Sequence, residues 1–146
     1  MSDVIQLVRA PELRVPARLD ALDGIARYVR ALADRARLGK DAAYRLRLAV
    51  DELATNVVTH GYRDGDGEIV VLGGIGTDRV WVRIEDTAPP FDPRQGCRPP
   101  DDGLPPECRR VGGLGVHLAL TSVDAFTYAH REGRNISTLT ILFGRG

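Results

Sequence analysis

Apolar residues change their spacing twice along this chain, and the changes divide it into elements. Two short apolar runs, Val4-Ile5-Gln6-Leu7-Val8 and Leu13-Arg14-Val15, predict edge strands or one bent strand, ended by Pro16. From Asp20 to Leu38 the apolar positions Leu22, Ile25, Ala26, Val29, Leu32, Ala33 and Ala36 recur every three or four residues, the repeat of one helical face. Gly39 suits the stop of that helix. A second helix is expected from about Asp41, its N-cap, to His60. Leu46, Val50, Leu53 and Val57 would stack on its buried face, and Gly61 would end it.

The period then falls to two. Glu68-Ile69-Val70-Val71-Leu72 and Val80-Trp81-Val82-Arg83-Ile84 predict strands, with Gly73 to Arg79 as the hairpin loop. Residues 87–111 hold Pro89, Pro90, Pro93, Pro99, Pro100, Pro105 and Pro106 and no periodic pattern. A loop of about 25 residues inside a compact domain marks a lid or binding loop. A short helix, about Gly113 to Ser122, precedes two strands near 124–131 and 135–143 that turn at Glu132-Gly133. With no repeat and no linker, residues 1–146 read as a single domain. Two long helices followed by strands predict an α+β two-layer sandwich, a mostly antiparallel mixed sheet with helices on one face.

Composition narrows the function. The 146 residues suffice for one core, and 43% hydrophobic content excludes a disordered chain. Lys plus Arg and Asp plus Glu number 20 each, a formal net charge of zero. A phosphate-binding nucleic-acid module carries a basic excess, so direct DNA or RNA binding is not expected. The start MSDVIQLVRAPELRV lacks a basic region leading into an apolar run of signal-peptide length. No apolar stretch approaches the roughly 20 residues that span a bilayer. The chain reads as cytosolic with no membrane partner. Cys97 and Cys108 form no CxxC pair and read as two reduced surface thiols.

Three segments carry candidate chemistry. In Asp51-Glu52-Leu53-Ala54-Thr55-Asn56, Glu52 and Asn56 are four apart, neighbours on one helix face at the border of the apolar stripe. A carboxylate there can act as a base towards a hydroxyl, and an amide oxygen suits Mg²⁺. The same pair also reads as a solvated helix flank. In Ile84-Glu85-Asp86-Thr87-Ala88-Pro89-Pro90-Phe91-Asp92-Pro93, Asp86 ends an apolar strand, where it can accept a hydrogen bond from an exocyclic amine or simply begin a turn. Gly112-Gly113-Leu114-Gly115-Val116-His117-Leu118 opens a helix with glycines. That is an anion site built of backbone N–H groups, or a flexible helix start. It is neither a Walker A loop nor a Rossmann fingerprint.

Glu-x-x-x-Asn on a helix, Asp after a strand, a long loop and Gly-x-Gly opening a helix, in that order, resemble the N, G1 and G2 boxes of the GHKL ATPases over about residues 12–143. Asp51-Glu52-Leu53-Ala54-Thr55-Asn56 with His60-Gly61-Tyr62, Pro89-Pro90-Phe91-Asp92-Pro93 and Gly112–Leu118 look like the RsbW-type anti-sigma-factor serine kinases. The resemblance implies that Glu52 is the catalytic carboxylate and that Asn56 coordinates Mg²⁺ bridging the ATP phosphates. It implies that Asp86, with Ala88 beside it, reads adenine. Gly113, Leu114, Gly115 and Val116 would hold phosphates, residues 94–111 would form the lid with Arg109 or Arg110 on phosphate, and Thr138 would complete the adenine pocket. It further implies a STAS-domain anti-anti-sigma substrate, a sigma factor as partner and a homodimer. One departure stands out: the G1 box of the superfamily usually reads Asp-x-Gly-x-Gly, and here Ala88 takes the first glycine position. That favours keeping a second function in view, a nucleotide-dependent protein-binding switch without significant kinase activity. A detached histidine-kinase catalytic domain is a third; His60, His117 and His130 all lie within or beyond the nucleotide-site elements, and no separate phospho-acceptor segment is present.

Overall fold

The sheet grows outward from β3 (Glu68–Ile75), which pairs antiparallel on one side with β4 (Arg79–Asp86) and on the other with both β1 (Val8–Arg9) and β2 (Leu13–Pro16). The computed structural model describes residues 8–61, 67–96 and 118–143. Arg9 pairs with Gly74 and Leu13 with Val71, so three residues of the edge oppose two of β3. The extra residue is a bulge around Pro11, which has no N–H to give the ladder, while Ala10 still donates to the Gly73 carbonyl at 3.0 Å. The expected bent edge strand is therefore one strand in two registers. Val4 to Leu7 lie outside the described residues.

Beyond β4 come β6 (Arg134–Leu142) and then β5 (Ala125–Arg131). Every ladder among the described residues is antiparallel, so the sheet shows no parallel pair that would make it mixed. The β5–β6 hairpin turns on Glu132 and Gly133, both at positive φ (52° and 78°), the geometry that follows strand twist in a two-residue turn.

Side-chain alternation gives the sheet two unlike faces. Val80, Val82, Ile84 and Asp86 of β4 are buried together with Asn135, Ser137, Leu139 and Ile141 of β6. Trp81, Arg83 and Glu85 take the other face. α1 (Leu22–Arg35) and α2 (Lys40–Asn56) pack on each other and on the inner face, α1 against β3 and α2 against β6. Ile25, Val29 and Leu32 from α1 meet Leu46, Val50 and Leu53 from α2 in one core with Ile69, Val71, Leu139 and Ile141. Each such side chain fully buried is worth roughly 1.5–3 kcal/mol, which fixes the helices over the sheet. This is the expected two-layer α+β arrangement, helices on one face.

Three local expectations change. Gly39 does not stop α1; it is the N-cap of α2, at φ −66° and ψ 166°. α1 is stopped by Arg37 at φ 58°, with Leu38 N–H donating to the Ala33 carbonyl at 3.1 Å and Arg37 N–H to Asp34 at 3.0 Å, a Schellman cap without its usual glycine. Asp41 is not a cap: it sits in the first turn of α2, where its carboxylate pairs with Arg45 one turn on, at 3.1 Å. Gly73 and Gly74 are strand residues of β3 and not hairpin loop, because aromatic and aliphatic side chains need their missing Cβ atoms. A Cβ at Gly73 would come within 2.6 Å of Leu32, and one at Gly74 would land in the Trp81 indole.

Past β4 the chain makes one helical turn, α3 (Pro93–Gly96). Of the short helix expected at Gly113 to Ser122, residues 118–121 are described and are helical. Among the described residues, no helix is long and apolar enough to cross a membrane.

Candidate functional site

Glu85 and Asp86 are adjacent in sequence but face opposite ways, because strand side chains alternate. Glu85 lies on the outer face within 2.7 Å of Arg134 and 3.1 Å of Arg83, both ion pairs. Asp86 is the last residue of β4 and turns to the inner face, where it is 7% exposed. So the carboxylate available to a ligand between sheet and helices is that of Asp86.

Two donors converge on one Asp86 oxygen. Ala88 N–H donates to Oδ1 at 3.0 Å and Asn135 Nδ2 donates to the same atom at 2.9 Å. Burial is the largest influence on this carboxyl and raises its pKa above the ordinary Asp value. The Asn135 and Ala88 donors and the charge of His130 push the other way. The group is thus an acceptor held in a poorly solvated setting, with Ala88 buried beside it.

Asn135, directly opposite Asp86 in the β4–β6 ladder, also reaches the Ala88 carbonyl at 3.0 Å and the Pro89 carbonyl at 3.2 Å. Its Oδ1 accepts from Phe91 N–H at 3.2 Å and from the Tyr128 hydroxyl, which itself accepts from Phe91 N–H at 3.1 Å. Burial raises the Tyr128 pKa, so it stays a neutral phenol and donor. Downstream, Arg94 grips Asp92 through two nitrogens (3.0 and 2.8 Å) and lies over the Phe126 ring at 5.4 Å. That grip is the main reason the Asp92 pKa is lowered. Sequence reasoning passed over Asn135. The signal that could have found it is phase: it is a polar residue in the inward register set by Leu139 and Ile141.

The same phase corrects Thr138. It pairs with Arg83 and Thr127 on the outer face, away from Asp86. The inward hydroxyl is that of Ser137, buried opposite Ile84.

Glu52 and Asn56 are partly buried on the flank of α2, next to the core residues Leu53 and Ala54. Asn56 is the last residue of α2, and the chain goes on as a π-helical turn, Val57–Gly61, in place of the expected regular helix to His60. Thr59 Oγ1 donates back to the Thr55 carbonyl at 2.9 Å, a bond that competes with the regular ladder at this point. Arg45 donates to the Ser122 carbonyl at 2.8 Å, tying the start of α2 to the chain just before β5, near the Thr140 end of β6. α2 packs against β6, with its start fixed beside the chain that enters β5. Among the described residues no hydrogen bond joins Glu52 or Asn56 to the Asp86 group. Tyr62, Cys97, Cys108, Arg109, Arg110, Gly113, Leu114, Gly115 and Val116, and most of the expected lid, lie outside the described residues.

The donor set suits a magnesium-bound purine nucleotide. Among the described residues no three His, Cys, Asp or Glu side chains cluster into a metal cage. Mg²⁺ needs none, since it takes one or two protein oxygens and fills its shell with phosphate and water. Asn56 can supply such an oxygen.

The profile of the histidine kinase-like ATPase domain family matches residues 15–141. The chain is 29% identical over 128 residues to a serine-protein kinase RsbW of Bacillus cereus strain AH187, covering 86% of this chain and 80% of the relative. It is 28% identical over the same length to that of Bacillus anthracis strain CDC 684 / NRRL 3495. Among solved structures it resembles the RsbU and RsbW domains of Rv1364c from Mycobacterium tuberculosis (TM-score 0.62, 21% identity), covering 94% of this chain and 34% of that one. It also resembles the histidine kinase domain of a blue-light activated histidine kinase from Erythrobacter litoralis EL346 (TM-score 0.51, 17% identity), covering 87% of this chain and 61% of that one. The two structural likenesses speak for the fold.

Proposed function

The chain belongs to the histidine kinase-like ATPase domain family, and from that premise we propose that it is an anti-sigma factor with serine kinase activity, which uses Mg-ATP to phosphorylate a STAS-type anti-anti-sigma partner and sequesters a sigma factor. The observation that supports this reading is the buried Asp86 acceptor at the end of β4, held through one oxygen by Ala88 and Asn135. ATP, when bound, supplies the phosphoryl group. Asp86 accepts a hydrogen bond from the adenine amino group, and Ala88 forms the wall beside it. Ser137, in place of Thr138, is the β6 hydroxyl on the same face as Asp86. Asn56 gives its amide oxygen to Mg²⁺. Glu52 takes the proton of the incoming serine hydroxyl. The backbone amides of Gly113, Leu114, Gly115 and Val116 hold phosphate oxygens, with residues 94–111 as the lid. Phosphoryl transfer rests mainly on positioning and charge neutralisation, so these groups suffice in kind. We place the protein in the cytoplasm, as one domain acting as a homodimer.

Incubation of the purified chain with Mg-ATP and a STAS-domain partner should yield phosphoserine on the partner by mass spectrometry. Glu52→Gln should slow the transfer about 10²–10⁴-fold, the usual worth of a general base. The Asp86-Thr87-Ala88-Pro89-Pro90 loop, without the usual glycines, favours a second reading: a nucleotide-dependent protein-binding switch. Partner binding that tracks nucleotide with no phosphoserine formed would decide for the switch and against the kinase.

A further inference from the structure

One buried side chain from the neighbouring strand ties down the turn that leaves β4 at four residues. Asn135 is 6% exposed. Its Nδ2 faces Asp86 Oδ1, the Ala88 carbonyl and the Pro89 carbonyl at 2.9, 3.0 and 3.2 Å. Its Oδ1 faces two donors, Phe91 N–H at 3.2 Å and the Tyr128 hydroxyl. The amide orientation follows from these neighbours, since the reverse flip would set an oxygen against a carboxylate and two carbonyls. Few other residues fit: Asp would put a second charge beside Asp86, Ala has no polar atom, and Ser has a single donor.

Both bonds to Asp86 fall on Oδ1, so among the described residues Oδ2 is the oxygen left to accept from a ligand. Resting on the nucleotide-site reading above, we propose that Asn135, oriented by Tyr128, is the positioning residue for base recognition. It locks residues 86–91 in the shape that presents Asp86 Oδ2 to the exocyclic amino group of adenine, and it does not touch the base itself. Nucleobase selectivity depends on this side-chain latch.

The test reads selectivity and not affinity alone. Dissociation constants for Mg-ATP and Mg-ITP, whose base carries a carbonyl in place of the amino group, are measured by calorimetry on wild type, Asp86→Ala, Asn135→Ala, Asn135→Ser and Tyr128→Phe, each with its thermal midpoint. Wild type should prefer ATP, and Asp86→Ala should lose that preference. Asn135→Ala should shrink the ATP/ITP ratio about tenfold, the worth of losing one buried hydrogen-bonded acceptor geometry. Tyr128→Phe should shrink it by a smaller factor, while ITP affinity changes little in both. Equal losses for both nucleotides, with the ratio kept, would mean that Asn135 only stabilises the fold and would overturn the proposal. If Asn135→Ala does not fold, the ratios of Asn135→Ser and Tyr128→Phe decide in the same way. If Asp86→Ala keeps the wild-type preference, it is the adenine role of Asp86 that fails, and this inference with it.

Discussion

Asp86 and Asn135 stand directly opposite each other at the end of the β4–β6 ladder, and the Asn135 amide donates at 2.9 Å to a carboxylate whose charge burial opposes. Burial works against the charged form of this carboxyl, and the Asn135 and Ala88 donors on Oδ1 offset part of that cost.

Replacing that charge should therefore divide stability from function. Asp86→Asn keeps the shape and leaves an oxygen to accept from Ala88 and Asn135, so the free protein should gain about 0.5–2 kcal/mol at pH 7, the common scale of one stabilising change. Nucleotide affinity should fall in the same variant. The pH dependence has a definite sign. The folded-state pKa of Asp86 is raised by burial, so the stability linked to its proton is complete below the ordinary value of 3.8 and is lost as pH rises through the raised folded value. The advantage of Asp86→Asn over wild type should thus be largest near neutrality and shrink as pH falls. Urea midpoints for both proteins at pH 7 and pH 4 measure this; an advantage that grows on acidification would contradict it.

Asn56 and Glu52 make separable contributions if their roles are as proposed. Asn56→Ala should weaken ATP binding only when Mg²⁺ is present, bringing the affinity down towards the value measured with excess chelator. Glu52→Gln should leave Mg-ATP affinity within about threefold of wild type and still slow transfer about 10²–10⁴-fold, because a base acts in the chemical step and adds little to ground-state binding. Calorimetry with and without metal, beside a phosphoserine assay, tells the two apart.

Helical spacing in the sequence located the layers well. Ile25, Val29 and Leu32, and Leu46, Val50 and Leu53, are all core residues. Alternation found β3 and β4, but β3 was cut short at Gly73, since glycine reads as loop when the side chain that needs its space is far away in sequence. Leu32 and Trp81 are those side chains. Asp86 could be seen from its place after an apolar run. Asn135 and Ser137 could not, because an alternating strand shows which residues share a face and not which other strand lies beside them. Thr138 failed for the same reason: a single step along β6 moves a side chain through the sheet. Arg37 was missed because a left-handed helix stop is usually announced by glycine, and here the glycine two residues later caps the next helix.

The glycines of β3 and α1 should respond in opposite directions to the same added methyl group. Gly74→Ala drives a Cβ into the Trp81 indole, and the strands are held on both sides, so a loss of about 1–3 kcal/mol is expected. Trp81 emission should shift with it. A Cβ added at Gly24, inside α1, would meet nothing within 4 Å, and the backbone there has no positive φ. Gly24→Ala should therefore add about 0.5–1 kcal/mol through lower backbone entropy in the unfolded chain. Denaturation followed by tryptophan fluorescence reads both. A neutral Gly74→Ala would show that the indole can move aside.

Two exposed positions carry backbone strain that their residue types do not suit. Arg37 stops α1 at φ 58° and Glu132 opens the β5–β6 turn at φ 52°. In that region the Cβ of an ordinary residue crowds the following carbonyl, at a cost of about 1–2 kcal/mol that glycine escapes and asparagine partly escapes. Arg37→Gly also enlarges the freedom of the unfolded chain, which offsets part of the relief, so a net gain near 1 kcal/mol is expected. Glu132→Asn creates Asn-Gly, the pair best suited to a two-residue turn with both residues left-handed, and should add a similar or smaller amount. The sites belong to different elements and share no partner among the described residues, so the double variant should show the sum within about 0.5 kcal/mol. In a chain of this size that sum raises the melting temperature by roughly 5 °C. Scanning calorimetry of the two single variants and the double variant decides it: a melting temperature lowered by Arg37→Gly would mean that the α1 stop depends on the arginine side chain and not on the backbone angle.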